Sequence, residues 1–289
     1  MKKLILAITV ILSVSFFTIN TSAKLKVIYP NVNSGGKDFY SYAVLKLALE
    51  NSGEEFDLQI LKGSPNNKRV RKMIKEKIIS ISDFGTSSEF ERDFLPIYFP
   101  IDMGLNGWRL FLIHKNNQTK FNRINSVPKL QTMIAGQGFD WSDINILKNS
   151  GLKTVEVPSI NTLFKMVDNQ RFDYFPLGAN EAYYLLDNFK DKAKNTVVEK
   201  NLVLIYPFGR LFFVHKDNIE LHDAVKKGLE VSFENGSFMK LFKSHKNNEA
   251  LFKKSSLKNR KQIHIKNPNM SESFKKIPKK YFFNLDMLD

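Results

Sequence analysis

Arg109-Leu110-Phe111-Leu112-Ile113-His114-Lys115-Asn116-Asn117 returns 101 residues later as Arg210-Leu211-Phe212-Phe213-Val214-His215-Lys216-Asp217-Asn218, identical at six of nine positions. The spacing is too long for a solenoid, whose units repeat about every 20–50 residues. Each copy reads as a strand that opens on an arginine and closes on a histidine. Two such strands, one at either end of a lobe, suit a chain that crosses between two lobes twice. Chance likeness of two amphipathic strands is the other reading.

On both sides of the first copy, strand-like and helix-like segments alternate. Residues 25–29 read as a strand ending at Pro30, residues 33–36 as a turn, and Asp38 can cap a helix to about Asn51. Strand patterns follow at 56–61 and 78–81, with a short helix at 69–76 between them. After the first copy come strand patterns at 132–135, 154–157, 172–175 and 203–206. Helical patterns interleave them, at 141–149, 160–169 and 180–188. Such alternation argues an α/β architecture with a mostly parallel sheet.

The composition bounds the function. The chain has 289 residues, 43% of them hydrophobic and none of them cysteine. That apolar fraction supports packed cores and excludes wholesale disorder. Without cysteine there are no disulfides, thiolate metal sites, cysteine nucleophiles or lipobox anchor. The formal charge of +15 attracts polyanions. The first residues decide which ones are met. Lys2 and Lys3 precede a charge-free run over residues 4–17, and Thr21-Ser22-Ala23 offers a small-residue cleavage site. This is the order of a secretory signal peptide, with the mature chain starting at Lys24. A membrane anchor is the alternative, but a span needs about 20 apolar residues. An exported protein meets no genome, so nucleic acid is not an expected partner.

Residues 237–289 carry 13 Lys and Arg against 4 acids. Leu251, Phe252, Ile263, Ile265, Phe282 and Phe283 within this stretch would be wasted on a free tail. They predict a segment docked on the first lobe, with a disordered polybasic arm as the rival.

There is no phosphate-binding loop, HExxH, GxSxG or CxxC motif, and the five histidines are dispersed. No metal, cofactor or catalytic residue is expected. Gly136-Gln137-Gly138 joins a strand to a helix, where backbone N–H groups can face a small anion. An ordinary strand-to-helix turn is the equal alternative.

Several stretches together resemble one family, the type II periplasmic solute-binding proteins, in the group that includes amino-acid receptors of ABC importers. Residues 94–114 (FLPIYFPIDMGLNGWRLFLIH) are similar to its proline-aromatic segment, glycine and crossover strand. Residues 133–146 (MIAGQGFDWSDINI) are similar to the opening of its second lobe, and residues 162–174 (TLFKMVDNQRFDY) to its helix and following strand. Residues 211–241 resemble its returning strand and long helix. The likeness runs over about residues 25–245.

It implies two α/β lobes joined by two crossover strands that form a hinge. The first lobe would comprise residues 24–106 and 206–289, with a basic extension from about 250, and the second residues 107–205. A small polar solute, amino-acid-like or another organic anion, would bind between them and be closed in by the hinge. Delivery to an inner-membrane ABC permease or a sensor is implied, by a monomer. In the family an arginine of lobe one takes the ligand carboxylate and an acid of lobe two its ammonium. Here Thr86-Ser87-Ser88-Glu89 matches the family's pattern, Phe90 stands where its arginine is usual, and Arg92 follows two residues on. Glu181 is the acid nearest the family's position. The expected ligand-binding residues are Thr86, Arg92, Arg109, Gln137, Asp140, Trp141 and Glu181. Two other functions remain open, a surface protein gripping anionic lipid or cell-wall polymer through its basic C-terminal segment, and an exported hydrolase.

Overall fold

The computed structural model describes residues 24–32 and 36–288. The expected signal peptide and residues 33–35 of the expected turn lie outside the described residues.

Among the described residues, twelve strands form the two-lobed α/β framework. The first lobe holds β1 (Leu25–Tyr29), β2 (Phe56–Ile60), β3 (Ile81–Gly85) and β4 (Leu95–Ile97). The first copy of the repeated stretch is β5 (Trp108–His114). It is followed by β6 (Ile134–Gly138), β7 (Lys153–Val157), β8 (Phe175–Gly178), β9 (Thr196–Val198) and β10 (Leu202–Ile205). The second copy is β11 (Arg210–Val214), and β12 (Lys261–His264) lies near the C-terminus.

The repeated strands hold corresponding places. β5 is central in one sheet, antiparallel to β8, β9 and β10. β11 is central in another, antiparallel to β3 and β4. Parallel pairing joins β1–β2, β6–β7 and β10–β12, with one further parallel bridge between Ala135 and Tyr174. The pairing is therefore not mostly parallel: two two-stranded sheets are parallel, the β3–β11–β4 sheet is antiparallel, and the sheet around β5 is mixed. A strand that returns from the other lobe enters from the opposite end, which sets its direction against its neighbours.

β5 is buried on both faces, and its side chains alternate between two cores. Leu110 and Leu112 join a cluster with Val27, Phe84, Phe213 and Phe175. Phe111 and Ile113 join a second with Phe121, Tyr174 and Leu204. At the hinge, Tyr206 N–H donates to Gly107 O at 3.0 Å. A Cβ on Gly107 would stand 2.2 Å from Tyr206 O, so only glycine lets the two crossover segments meet this closely.

The basic C-terminal segment is docked, but on both cores. Leu251, Phe274, Tyr281 and Phe283 are buried in the first cluster. Ile263, expected on the first lobe, lies instead in the second cluster, with Ile265 packed against it. The cause is β12, whose Ile263 pairs in parallel with Leu204 of β10. Just before β12, the buried Arg260 guanidinium donates to the carbonyls of Ser255, Glu199 and Leu202. Among the described residues, no helix is long and apolar enough to cross a membrane.

Candidate functional site

A cavity of about 390 Å³ opens between the lobes, lined by residues of both. That volume is in the range of small-molecule pockets. Its walls are aromatic, with Tyr29, Phe39, Tyr40, Phe84 and Phe90 from one side and Trp141, Tyr184 and Phe189 from the other. Its floor is charged.

The two arginines that open the repeated strands both face this floor. Arg109 is 2% exposed and its Nη2 lies 2.7 Å from Asp143 Oδ2. Its Nε donates to Tyr206 Oη at 2.7 Å, and Tyr206 in turn donates to Asp143 Oδ2 at 2.9 Å. Burial alone would pull the Arg109 guanidinium down. Asp143, Tyr206 and Glu181 outweigh it and hold the group above the usual arginine value. Burial first, then Asp143, raises the Tyr206 hydroxyl, so it stays protonated and can donate. Arg210 repeats the arrangement in the other lobe. Its Nε and Nη2 reach Asp83 Oδ2 at 2.7 and 2.5 Å, and Tyr29 donates to the other Asp83 oxygen.

Glu181 accepts from Gly178 N at 3.1 Å, and its Oε1 lies 3.8 Å from Arg109 Nη1. Burial raises its carboxyl above the ordinary value, against the pull of Arg109 and Arg210. Four cavity-lining residues carry a buried polar atom without a hydrogen-bond partner: Tyr40 Oη, Asn106 Nδ2, Asn180 Oδ1 and Asn247 Oδ1. Buried polar atoms are almost always paired, so these mark where a bound group would complete the site.

Contacts across the mouth close the lobes on each other. Arg71, on the helix Asn67–Lys75, pairs with Asp140 of the second lobe. Its guanidinium also stacks 4.7 Å from the centre of the Phe90 ring. Ser142 Oγ donates to Gly85 O at 3.0 Å. Asp140 has φ +67°, a left-handed conformation that aspartate tolerates better than most residues. It caps no helix; the helix begins at Ile144.

Of the seven expected residues, Arg109, Asp140, Trp141 and Glu181 line the cavity. Thr86, Arg92 and Gln137 are not among its walls. Thr86 is buried and donates to Glu91 Oε1 at 2.5 Å. Arg92 points to solvent, its side chain 72% exposed. Gln137 is fully buried behind the site and donates to Asp143 Oδ2 at 3.1 Å, which makes it a positioning residue. The glycines beside it admit aromatic rings. A Cβ on Gly136 would stand 2.2 Å from the Phe172 ring, and one on Gly138 2.2 Å from the Trp141 indole. Gly136, Gln137 and Gly138 lie in β6 itself, paired with Val155, Glu156 and Val157 of β7, rather than in a strand-to-helix turn.

Sequence reasoning missed Arg71, Asp83, Asp143 and Arg210. The repeat carried the signal for Arg210, because it occupies the place of Arg109. Arg71 sits among lysines, where nothing distinguishes it from a solvated helix face. Among the described residues, no cluster of three or more His, Asp or Glu could hold a metal ion.

No protein-family profile matches the chain, and no curated protein matches it significantly. Solved structures do match in fold. An ancestral arginine-binding protein bound to arginine aligns with TM-score 0.56 at 15% identity, over 78% of this chain and 99% of that one. A structure from work on glutathione import via GshT and the cystine ABC importer TcyBC of Streptococcus mutans aligns with TM-score 0.58 at 14% identity, over 77% and 95%. A histidine kinase sensor domain with similarity to periplasmic binding proteins aligns with TM-score 0.57 at 11% identity, over 78% and 96%. The chain has the two-lobed fold of the type II solute-binding proteins.

Proposed function

We propose that this is an exported solute-binding protein. It captures a small polar solute between its lobes, closes on it by hinge motion, and presents it to an ABC importer or a sensor, as a monomer outside the cytoplasmic membrane. The lobe boundaries proposed are those expected from the repeat, near residues 106 and 206. The observation that carries the reading is the interlobe cavity whose walls hold unpartnered amide groups of Asn106 and Asn180. Solved structures of like fold support it, among them the substrate-binding protein of an amino acid ABC transporter and a histidine kinase sensor domain. Arg109, Asp140, Trp141 and Glu181 are the ligand-facing residues in this reading.

A thermal-shift screen of small polar solutes tests it. A ligand present at 100 times its Kd stabilises the fold by about 2.7 kcal/mol. Trp141 lines the cavity, whereas Trp108 stacks edge-on against Phe283 at 5.5 Å. A true ligand is therefore expected to change tryptophan fluorescence in the parent and in Trp108→Phe, but not in Trp141→Phe. No shift with any solute would refute the reading.

A further inference from the structure

From the charges of the cleft we infer that its ligand is an amine without a carboxylate, an alkyl- or aryl-ammonium ion held by Glu181 and Asn180. The inference rests on the solute-binding reading above and narrows it.

Charge balance comes first. Three arginines and five carboxylates line the cavity, a formal excess of two negative charges. Each arginine already has a carboxylate: Arg71 has Asp140, Arg109 has Asp143, and Arg210 has Asp83. An α-carboxylate would compete with these aspartates for guanidinium groups already engaged. Arg210 is the most open of the three, with 36% of its side chain exposed. Its Nε–Nη2 edge, the fork that suits a carboxylate, is spent on Asp83.

The two carboxylates left over differ. Asp102 is spent on the backbone, accepting from the N–H groups of Gly104, Asn106 and Arg210. Glu181 is not. Its side chain keeps 26% exposure, and its nearest cation stands off at 3.8 Å. Asn180 is 7% exposed, and its Oδ1 is an acceptor with no donor. Both oxygens lie near Gly178, where an added Cβ would stand 2.9 Å from Asn180 Oδ1 and 3.3 Å from Glu181 Oε1. An acceptor without a donor and a part-exposed carboxylate, in a site of negative excess, suit an ammonium group with its three N–H donors. The aromatic walls suit an apolar body behind it. Asn106 Nδ2 offers a donor to one neutral acceptor of the ligand.

Three probes of one shape separate the classes, with calorimetry and thermal shift on the mature chain as readouts. Tyramine carries the amine alone, tyrosine the amine and carboxylate, and 3-(4-hydroxyphenyl)propanoate the carboxylate alone. Cadaverine adds an aliphatic diamine. The expected result is that one or both amines bind at least tenfold more tightly than either carboxylate-bearing probe. Glu181→Gln and Asn180→Leu are each expected to weaken amine binding at least tenfold. Asn180→Leu removes an acceptor that has no partner, so its unliganded melting temperature is expected to stay near the parent value. A carboxylate probe binding as tightly as the amines would overturn the inference and leave the solute-binding reading standing. So would amine affinity unchanged in both variants. Binding of no probe in either class would overturn the inference and count against the solute-binding reading as well.

Discussion

Arg109 shows how much one residue of the floor supports. With Arg109 and Asp143 both nearly inaccessible, removing the arginine strands a carboxylate with only the Tyr206 and Gln137 donors. Arg109→Met is expected to cost about 3–5 kcal/mol in chemical denaturation, and Arg109→Met with Asp143→Leu distinctly less. A double-variant cost equal to the sum of the Arg109→Met and Asp143→Leu costs would mean the pair is not coupled. Glu181 gives a pH signature. Burial, the leading cause, raises its folded carboxyl above the ordinary 4.5. Below pH 4.5 the carboxyl is protonated in folded and unfolded chains alike, and its contribution is fully present. As pH rises further the unfolded chain ionises first, and the contribution is lost as pH passes through the folded value. Glu181→Gln is thus expected to be more stable than the parent at pH 7.5, with the difference shrinking toward pH 4. Urea titrations at both pH values check this, and a difference independent of pH would contradict it. Glu181 could be read through the family resemblance, and Trp141 as an aromatic residue ahead of an expected helix, which begins at Ile144. Asp143 could not, since its role comes from Tyr206, 63 residues away.

At the level of elements, the repeat carried the fold. Both copies form central strands, and both start on an arginine that grips an aspartate. Both end on a histidine whose Nδ1 accepts the N–H two residues on, from Asn116 at 3.3 Å and Asp217 at 3.2 Å. Strand direction was not legible, because a hydrophobic pattern records which face is buried and not which way a neighbour runs. The latch between lobes was equally hidden, because its halves, Arg71 and Asp140, lie 69 residues apart. A part-exposed pair of this kind contributes roughly 1 kcal/mol, about fivefold in the ratio of closed to open molecules. Arg71→Gln with Ser142→Ala is expected to raise the unliganded radius of gyration in small-angle scattering and to leave the melting temperature little changed. Gly85→Ala should act more strongly, because the new Cβ would lie 2.4 Å from the Phe208 ring and 2.6 Å from Ser142 Oγ. An unchanged radius in both variants would mean that neither contact holds the lobes together.

The whole molecule is tied by the segment whose sequence looks least like structure. Its lysines suggested a free arm, and its aromatic residues suggested docking; the rings prevail because each buries a large apolar area while a lysine head can stay in water. That it reaches both cores could not be read, since nothing in Ile263 or Ile265 names β10 as their partner. Tyr281 lies 4.5 Å from Phe99 and 4.9 Å from Phe233 between ring centres, and Phe283 N–H donates to Met103 O at 2.8 Å. β12 meanwhile extends the sheet of the second lobe. The segment thus runs from one lobe to the other beside the hinge. Truncating a single buried aromatic costs about 3–5 kcal/mol, so Tyr281→Ala alone is expected to lower stability by that amount. Ending the chain at Lys254 removes Phe274, Tyr281 and Phe283 together, more than the roughly 5–15 kcal/mol that holds a typical protein folded. The truncated chain is expected to lose its cooperative melting transition, whereas in the parent the last 40 or so residues should resist limited proteolysis at both low and high salt. A polybasic arm would behave in the opposite way, clipped early and dispensable for the fold. A stable, cooperatively melting core ending at Lys254 would therefore return the segment to the solvent and leave its charge free for anionic surfaces.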